Sequence, residues 1–491
     1  MAAGEPHFVI IPLLAQGHII PACDMARLLA THGAIVTVIV TPANLTRLQS
    51  FSALISTSNL PIRLASLPFP STAASIPDSC QNVDLVHSPD LFFNFFLAMS
   101  LLQTPLLEYL HGQHPPPTCI ISDHFQPWGM NVARELSIPY LIFHGYSSFT
   151  LTAMHTIKNH KIYQSLTDVH KPFIIPGLPQ PIETTKAKAP PFFYEGTPGF
   201  EKLAQETIMA EDTCDGIVLN TCSEMESYFT QQLEELTGKK VYAIGPLPLA
   251  NKDAASKAAR GNKPSIDESQ CLQWLDSMPE SSVVYLSFGS ITHTVAAQLI
   301  EIGAGLEASG LRFIWVIKES ELMAAPEVAK WLTEEEGFEK RVEGRGMVIK
   351  GWAPQAAILG HPAVGGFVTH CGWNSVMESV SAGLAMLTWP HFADQFLNEK
   401  VVVEVLKVGV PVGIGKPIMY AFGEEMVVVG REVVEKGVKC LMECGGEGEE
   451  RRKRVRELGH MVRKAVDKGG SSFENLIKLI EVGSKKLMKP T

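Results

Sequence analysis

Two polar side chains stand where a parallel α/β sheet exposes its chemistry. His18 lies in Pro12-Leu-Leu-Ala-Gln-Gly17-His18-Ile-Ile-Pro21, just after the β-favouring run Phe8-Val-Ile-Ile11, and Asp123 directly follows Thr118-Cys-Ile-Ile-Ser122. Each therefore falls at the carboxyl end of an expected strand, the edge at which open α/β sheets bind ligands. An imidazole there can serve as a general base, and a carboxylate on its other nitrogen would hold the tautomer and stabilise the imidazolium formed on proton uptake. Taken alone, His18 reads first as a turn residue, and Asp123 as readily as a helix cap. A third constellation is Gly366-Phe-Val-Thr-His370-Cys371-Gly372-Trp373-Asn374-Ser375-Val-Met-Glu378, a strand that passes through a tight polar turn into a helix. The N–H groups and dipole of that helix start would suit an anion, although Ser375-x-x-Glu378 also reads as a capping box that needs no ligand.

Other chemistries lack their residues. Gly17 alone does not supply the G-x-G-x-x-G of a dinucleotide site. Gly145-Tyr-Ser-Ser-Phe149 and Ser379-Val-Ser-Ala-Gly383 each miss one glycine of the hydrolase elbow G-x-S-x-G. With no H-E-x-x-H and no pair of aspartates two apart, no metal is expected, and any phosphate must be held by protein donors. The nine cysteines are odd in number and contain no C-x-x-C, which reads as free thiols in a reducing compartment. The net charge of -10 over 491 residues argues against nucleic acid, whose phosphates demand a basic surface. The start lacks a basic n-region, no unbroken run of about 18 apolar residues occurs, and the expectation is a cytoplasmic protein without a membrane span.

The elements that hold these residues repeat one grammar. Phe8–Ile11 reads as a strand; Ala22, Met25, Ala26 and Leu29 follow at helical spacing between Pro21 and Gly33; and Ala34–Thr41 is an apolar strand of the kind buried on both faces. A second α/β sheet opens with the strand Val283–Phe288, the helix face Leu299, Ile302, Gly303, Leu306, and the strand Arg312–Ile317. The length fits two domains, and the polar stretch 251–265 reads as the linker between 1–250 and 266–470. The basic run before Arg456 reads as a solvated helix face, and Phe473, Leu476, Ile477 and Ile480 as an amphipathic terminal helix over 471–491.

The 44 residues from Trp352 to Gln395 resemble the signature box of the plant family 1 UDP-glycosyltransferases almost throughout: Trp352-Ala-Pro-Gln355, His361-Pro, Gly365, Phe367, Thr369-His-Cys-Gly-Trp-Asn-Ser375, Glu378, Gly383, Pro390 and Asp394-Gln395. The resemblance extends over the chain through Gly17-His18-Ile-Ile-Pro21, Asp123, Phe288-Gly-Ser290 and Gly469-Gly-Ser-Ser472. Ala15-Gln-Gly-His18, Phe143-His-Gly145 and Asp394–Lys400 look like the subgroup acting on flavonoids, terpenoids and steroids. Gly383-Leu384-Ala385 departs from the family's usual Gly-Val-Pro.

What the resemblance implies is a GT-B fold: two facing Rossmann-like domains with parallel sheets, donor mainly on the C-terminal one, acceptor on the N-terminal one, and a tail returning to the first. By the same resemblance Trp352 would stack on uracil, Ala353 and Gln355 would meet uracil and ribose, and Glu378 would accept from the ribose hydroxyls. Ser290, His370, Asn374 and Ser375 would hold the diphosphate, and Trp373, Asp394 and Gln395 would read glucose. His144 and Phe392 resemble positions near the acceptor. The expected activity is inverting transfer of glucose from UDP-glucose to a hydroxyl of a small hydrophobic acceptor by a monomer, with His18 as base beside Asp123 and no cofactor. A non-catalytic nucleotide-sugar or metabolite binder and a hydrolase are the rivals. The Phe-rich Leu91–Phe96 reads as core before it reads as acceptor pocket.

Overall fold

The computed structural model describes residues 5–86, 88–189, 199–334, 337–417 and 429–484. In chain order the strands are β1 (His7–Ile11), β2 (Ile35–Val40), β3 (Ile62–Ser66), β4 (Cys119–Asp123), β5 (Tyr140–His144), β6 (Pro172–Ile174), β7 (Glu183–Thr185), β8 (Gly216–Leu219) and β9 (Val241–Ala243). They continue with β10 (Val283–Ser287), β11 (Arg312–Ile317), β12 (Gly346–Lys350), β13 (Val364–Thr369), β14 (Ala385–Thr388) and β15 (Gly409–Pro411). One sheet runs β3-β2-β1-β4-β5-β8-β9 and another β12-β11-β10-β13-β14-β15, both parallel throughout, while β6 and β7 form an antiparallel pair. Every residue of β1, β2, β4 and β5 is buried, as a parallel sheet covered by helices requires.

Register decides which loops meet. Ile11 pairs with Ser122, so the turn after β1 and Asp123 leave the sheet together. In the second sheet Ser287 pairs with Thr369 and Thr369 with Thr388, which aligns the turns after β10, β13 and β14 at one edge. In both sheets the chain reverses its order of strands beside the first one, at β1/β4 and β10/β13, the topological switch point where α/β ligand sites form.

The chain divides into two compact units. One comprises Met1–Asn159, Pro191–Gly261 and Arg463–Thr491; the other comprises His160–Pro190 and Asn262–Val462. Residues 160–190, which the sequence pattern leaves in the first domain, thus belong to the second unit. The expected linker is held rather than loose through residue 261. Asp253 caps the helix Ala254–Ala258, and Arg260 grips the buried Asp24 through Nε at 3.1 Å and Nη2 at 2.8 Å. Charge pairing, not an amphipathic stripe, fastens this segment, which is why hydrophobic patterning misses it.

Several other elements differ from expectation. The first helix is Gln16–Thr31, with Pro21 inside it; it starts earlier than a proline at its first position would allow, so His18 rides on its first turn. Arg451 and Arg452 of the helix Gly446–Ala465 are buried rather than solvated, and Arg451 donates to Cys440 O at 3.3 Å, a carbonyl in the last turn of the helix Arg431–Met442. A helical stretch from Asp90 to His111 spans 22 residues and is long and apolar enough, by length and composition, to cross a membrane. Sequence inspection passes over it because Asn94, Ser100 and Gln103 break the apolar run, yet being uncharged they leave its average apolar. Its Phe95, Met99, Leu102, Leu106 and Leu110 are buried in the first unit. The helix Ser471–Ser484 buries Leu476, Leu479 and Gly483; Ser472 donates to Gly245 O and Asn475 to Ala243 O, beside β9 of the same unit. Positions 485–491 of the expected tail lie outside the described residues.

Candidate functional site

In the first unit, the shared exit of β1 and β4 brings His18 and Asp123 together across 105 positions of chain: His18 Nδ1 lies 2.7 Å from Asp123 Oδ2. Asp123 Oδ1 accepts from Phe125 N at 3.0 Å, an Asx turn that fixes the carboxylate plane. Burial pushes this carboxyl up, but the His18 imidazole and the Phe125 N–H outweigh it and hold the group below the usual carboxylate range. The aspartate side chain is 2% exposed and the histidine 18%, so the pair is anchored at one end and open at the other. Phe125 meets the His18 ring edge to face at 5.6 Å. A Cβ at Gly145 would come to 3.5 Å of His18 Cε1, so the residue after β5 backs the imidazole.

Beyond Phe125 an aromatic cluster continues through Phe96, Phe92, Phe93 and Phe200. The Phe-rich stretch is therefore split: Phe95 and Phe96 are buried, whereas Phe93 is 42% exposed. His144 is 1% exposed; its ring lies beside that of His124 at 4.5 Å, with Nε2 at 3.6 Å from Glu211 Oε1. Burial lowers its pKa to about 3, so it is neutral.

In the second unit the three aligned turns build a different surface. Cys371 takes a left-handed conformation, φ 65°, which makes Gly372 the N-cap and starts the helix at Trp373. Ser375 is consequently inside the first turn and the expected capping box does not form. Glu378 Oε2 instead accepts from Gln355 Nε2 at 2.6 Å, and Tyr285 donates its hydroxyl to Gln355 Oε1 at 3.2 Å. The half-buried His370 is wedged between two glycines: a Cβ would come within 2.7 Å of its ring at Gly289 and within 2.4 Å at Gly372. Desolvation, reinforced by the Lys318 charge, lowers its pKa to about 4. Ser290 follows Gly289, whose φ of 73° only glycine takes without strain.

Trp352 is strapped to the start of this unit, Trp352 N donating to Ser265 Oγ at 2.9 Å and Ser265 N to Trp352 O at 2.8 Å. Gly351 must be glycine here, since a Cβ would sit 2.1 Å from Ser265 Oγ. Ala353 is buried beside it. Gln395 Oε1 accepts from His391 N at 2.8 Å and from Phe392 N at 3.2 Å, which leaves its NH2 group to donate. Asp394 Oδ2 accepts from Asn398 Nδ2 at 2.6 Å, and Asn398 also donates to Cys371 O at 2.9 Å. Trp373 is buried, while Asn374 and Phe392 are half-buried. At the departure from the family pattern, Gly383 ends the helix in the left-handed region and Ser379 Oγ donates to Leu384 O at 2.9 Å.

The family model for UDP-glucoronosyl and UDP-glucosyl transferases matches residues 241–414. UDP-glycosyltransferase 73C13 of Barbarea vulgaris is 42% identical over 478 residues, 97% of this chain and 96% of its own. The chain belongs to the plant family 1 UDP-glycosyltransferases. Among solved structures, Glycyrrhiza uralensis UGT73P12 complexed with glycyrrhetinic acid 3-O-monoglucuronide superposes with a TM-score of 0.87 at 37% identity, covering 99% of this chain and 96% of that one. Arabidopsis thaliana UGT89C1 complexed with UDP-L-rhamnose gives a TM-score of 0.72 at 28% identity, with coverage of 98% and 100%. The two Rossmann-like sheets of this glycosyltransferase are those of the GT-B class, and its membership sets aside the hydrolase and the non-catalytic binder. Motif reading does not single out Phe125, Ser265, Tyr285 or Glu211. Each acts on a recognised residue from far along the chain or through its backbone, and spacing carries no trace of that.

Proposed function

We propose that this UDP-glycosyltransferase transfers glucose from UDP-glucose, with inversion, to a hydroxyl of a small lipophilic plant metabolite: a flavonoid, another phenolic, a terpenoid or a steroid. It acts as a cytoplasmic monomer and needs no metal for the transfer step. The observation that carries the reading is the 2.7 Å contact of His18 Nδ1 with an aspartate held ionised. With Asp123 accepting a hydrogen bond from Nδ1–H, His18 accepts the acceptor's proton at Nε2 while the acceptor oxygen attacks the anomeric carbon and UDP leaves, and the carboxylate stabilises the imidazolium. One displacement on an α-linked donor yields a β-glucoside.

On the donor side, Trp352 stacks on uracil, Ala353 and Gln355 meet the base and ribose, and Glu378 accepts from ribose hydroxyls. Ser290, His370, Asn374 and Ser375 hold the diphosphate, where the start of the helix Trp373–Ala382 stabilises the leaving UDP. Trp373, Asp394 and Gln395 read the sugar. The amide of Gln395 offers donors, because its oxygen is already engaged by two backbone N–H groups. The aromatic cluster beside His18 in the first unit favours an apolar acceptor, and a relative is solved with glycyrrhetinic acid 3-O-monoglucuronide.

The test is His18→Ala. Calorimetric UDP-glucose affinity should stay near wild type while transfer to a weakly acidic alcohol falls by about 10²-fold or more, with acidic phenols less affected because they ionise unaided. An equal loss of donor affinity would remove His18 from the base role.

A further inference from the structure

One residue beyond Asp123, and one before the Gly145 that backs His18, the chain turns two imidazoles onto a single carboxylate. His124 leaves β4, His144 ends β5, and Glu211 reaches them from the helix Glu201–Thr213. His124 Nδ1 lies 3.2 Å from Glu211 Oε1, and His144 Nε2 lies 3.6 Å from the same oxygen. One ligand atom from each of the three side chains falls within 4.8 Å of the other two. Glu211 Oε1 is buried and receives no well-aligned hydrogen bond among the described residues, only the ion-pair approach of the two imidazoles. Buried polar atoms are overwhelmingly satisfied in native proteins, and an unsatisfied group points to a missing water or ion.

We propose that His124, His144 and Glu211 form a binding site for one divalent transition-metal ion of the zinc class. Glu211 Oε1 lies 3.2 and 3.6 Å from the two imidazole nitrogens, the separations that neighbouring ligand atoms take around an ion that holds each at ~2.0–2.2 Å. Two nitrogens and one oxygen select zinc, cobalt, nickel or copper over magnesium and calcium, which demand oxygen shells. Three protein ligands would leave a further coordination position to a solvent molecule. The ion would join the ends of β4 and β5 to the helix Glu201–Thr213, so its role is to hold the wall behind the His18–Asp123 pair; no step of glycosyl transfer passes through it. The spacing of 124, 144 and 211 matches no zinc motif, so inspection of the sequence finds no metal.

The experiment titrates chelator-treated full-length protein with Zn2+ and with Co2+ alone. It is run in a Cys444→Ser background, because Cys444 is exposed and Cys440 is partly so, and thiols compete for these ions. Expected are one equivalent of Zn2+ bound with a Kd of about 1 µM or tighter, and a visible Co2+ spectrum of a low-coordinate nitrogen/oxygen site without a thiolate charge-transfer band. Glu211→Gln and His144→Ala should each weaken binding by about 10²-fold or more, beyond the 10- to 100-fold attached to second-shell changes. Both should retain wild-type circular dichroism and UDP binding, so that the loss is not unfolding; should one variant fail to fold, the other decides. The absence of any saturable site tighter than about 100 µM, or an affinity unchanged in the folded variants, overturns the proposal.

Discussion

Replacing Asp123 by asparagine keeps the shape of the side chain and removes its charge, which isolates what the carboxylate does for His18. In the wild type the two oxygens are divided between His18 Nδ1 at 2.7 Å and Phe125 N at 3.0 Å. An amide has one acceptor for these two tasks. If its oxygen keeps Phe125 N–H, its NH2 faces Nδ1, and the ring proton is driven to Nε2, the atom that must accept from the substrate. If the amide flips, the tautomer survives but NH2 confronts N–H, and the Asx turn is lost. Either way a charge-assisted bond to a buried group disappears, worth about 1.5–3 kcal/mol, and the imidazolium loses its counter-charge in the transition state. Transfer to a weakly acidic alcohol should therefore drop by about 10²- to 10⁴-fold in kcat. An acidic phenol, already ionised, should drop far less, and the calorimetric Kd for UDP-glucose should not move. Steady-state kinetics on the two acceptors together with donor calorimetry decide the matter. A fall of less than about tenfold on the alcohol, or equal falls on both acceptors, would refute the reasoning that Asp123 acts through the His18 proton.

Gly372→Ala would drive a methyl to within 2.4 Å of the His370 ring, and relieving such overpacking costs about 1–3 kcal/mol. UDP affinity should fall roughly tenfold to a hundredfold with little change in the alcohol-to-phenol ratio; unchanged affinity would separate His370 from the diphosphate. For Gln395, competition of UDP-glucose with UDP-galactose at limiting concentration should favour glucose by roughly 5- to 150-fold in kcat/KM, about 1–3 kcal/mol for one buried polar group left unpaired. Gln395→Ala should erode that preference and lower the melting temperature, since His391 N and Phe392 N lose their acceptor; a wild-type ratio near unity would sink the donor assignment. Burial, first among the causes, lowers His370 to about 4 and His391 to about 3. Below the ordinary histidine value of about 6.5 the unfolded chain thus takes up protons that the folded one refuses. Stability should fall as pH drops from 6.5, by up to roughly 2 kcal/mol per histidine at pH 5. The gap between urea midpoints at pH 7 and pH 5 should narrow in His391→Asn, with His370 and His144 keeping the remainder, and an unaltered pH dependence in that variant would count against the assignment.

The local chemistry of this protein is written in contiguous residues, and those parts were legible. Strands such as Ile35–Val40 announce themselves because burial on both faces demands six successive apolar or β-branched side chains, Thr37 included. The turn from His370 to Ser375 is equally legible, since one short segment supplies the glycine, the polar side chains and the helix start that an anion needs. Candidates His18 and Asp123 could be named, but only register could join them: Ile11 opposite Ser122 sets the two loops side by side, and that pairing is a property of the folded sheet. The same holds for the grip of Arg260 on Asp24, the strap from Ser265 to Trp352 and the meeting of His124, His144 and Glu211. Periodicity reports which face of an element is buried, because hydrophobic burial is a local average over one helix or strand. It is silent on which polar group, hundreds of positions away, satisfies another in the interior, because a hydrogen bond or ion pair is a single directional contact that exists only once the elements have packed.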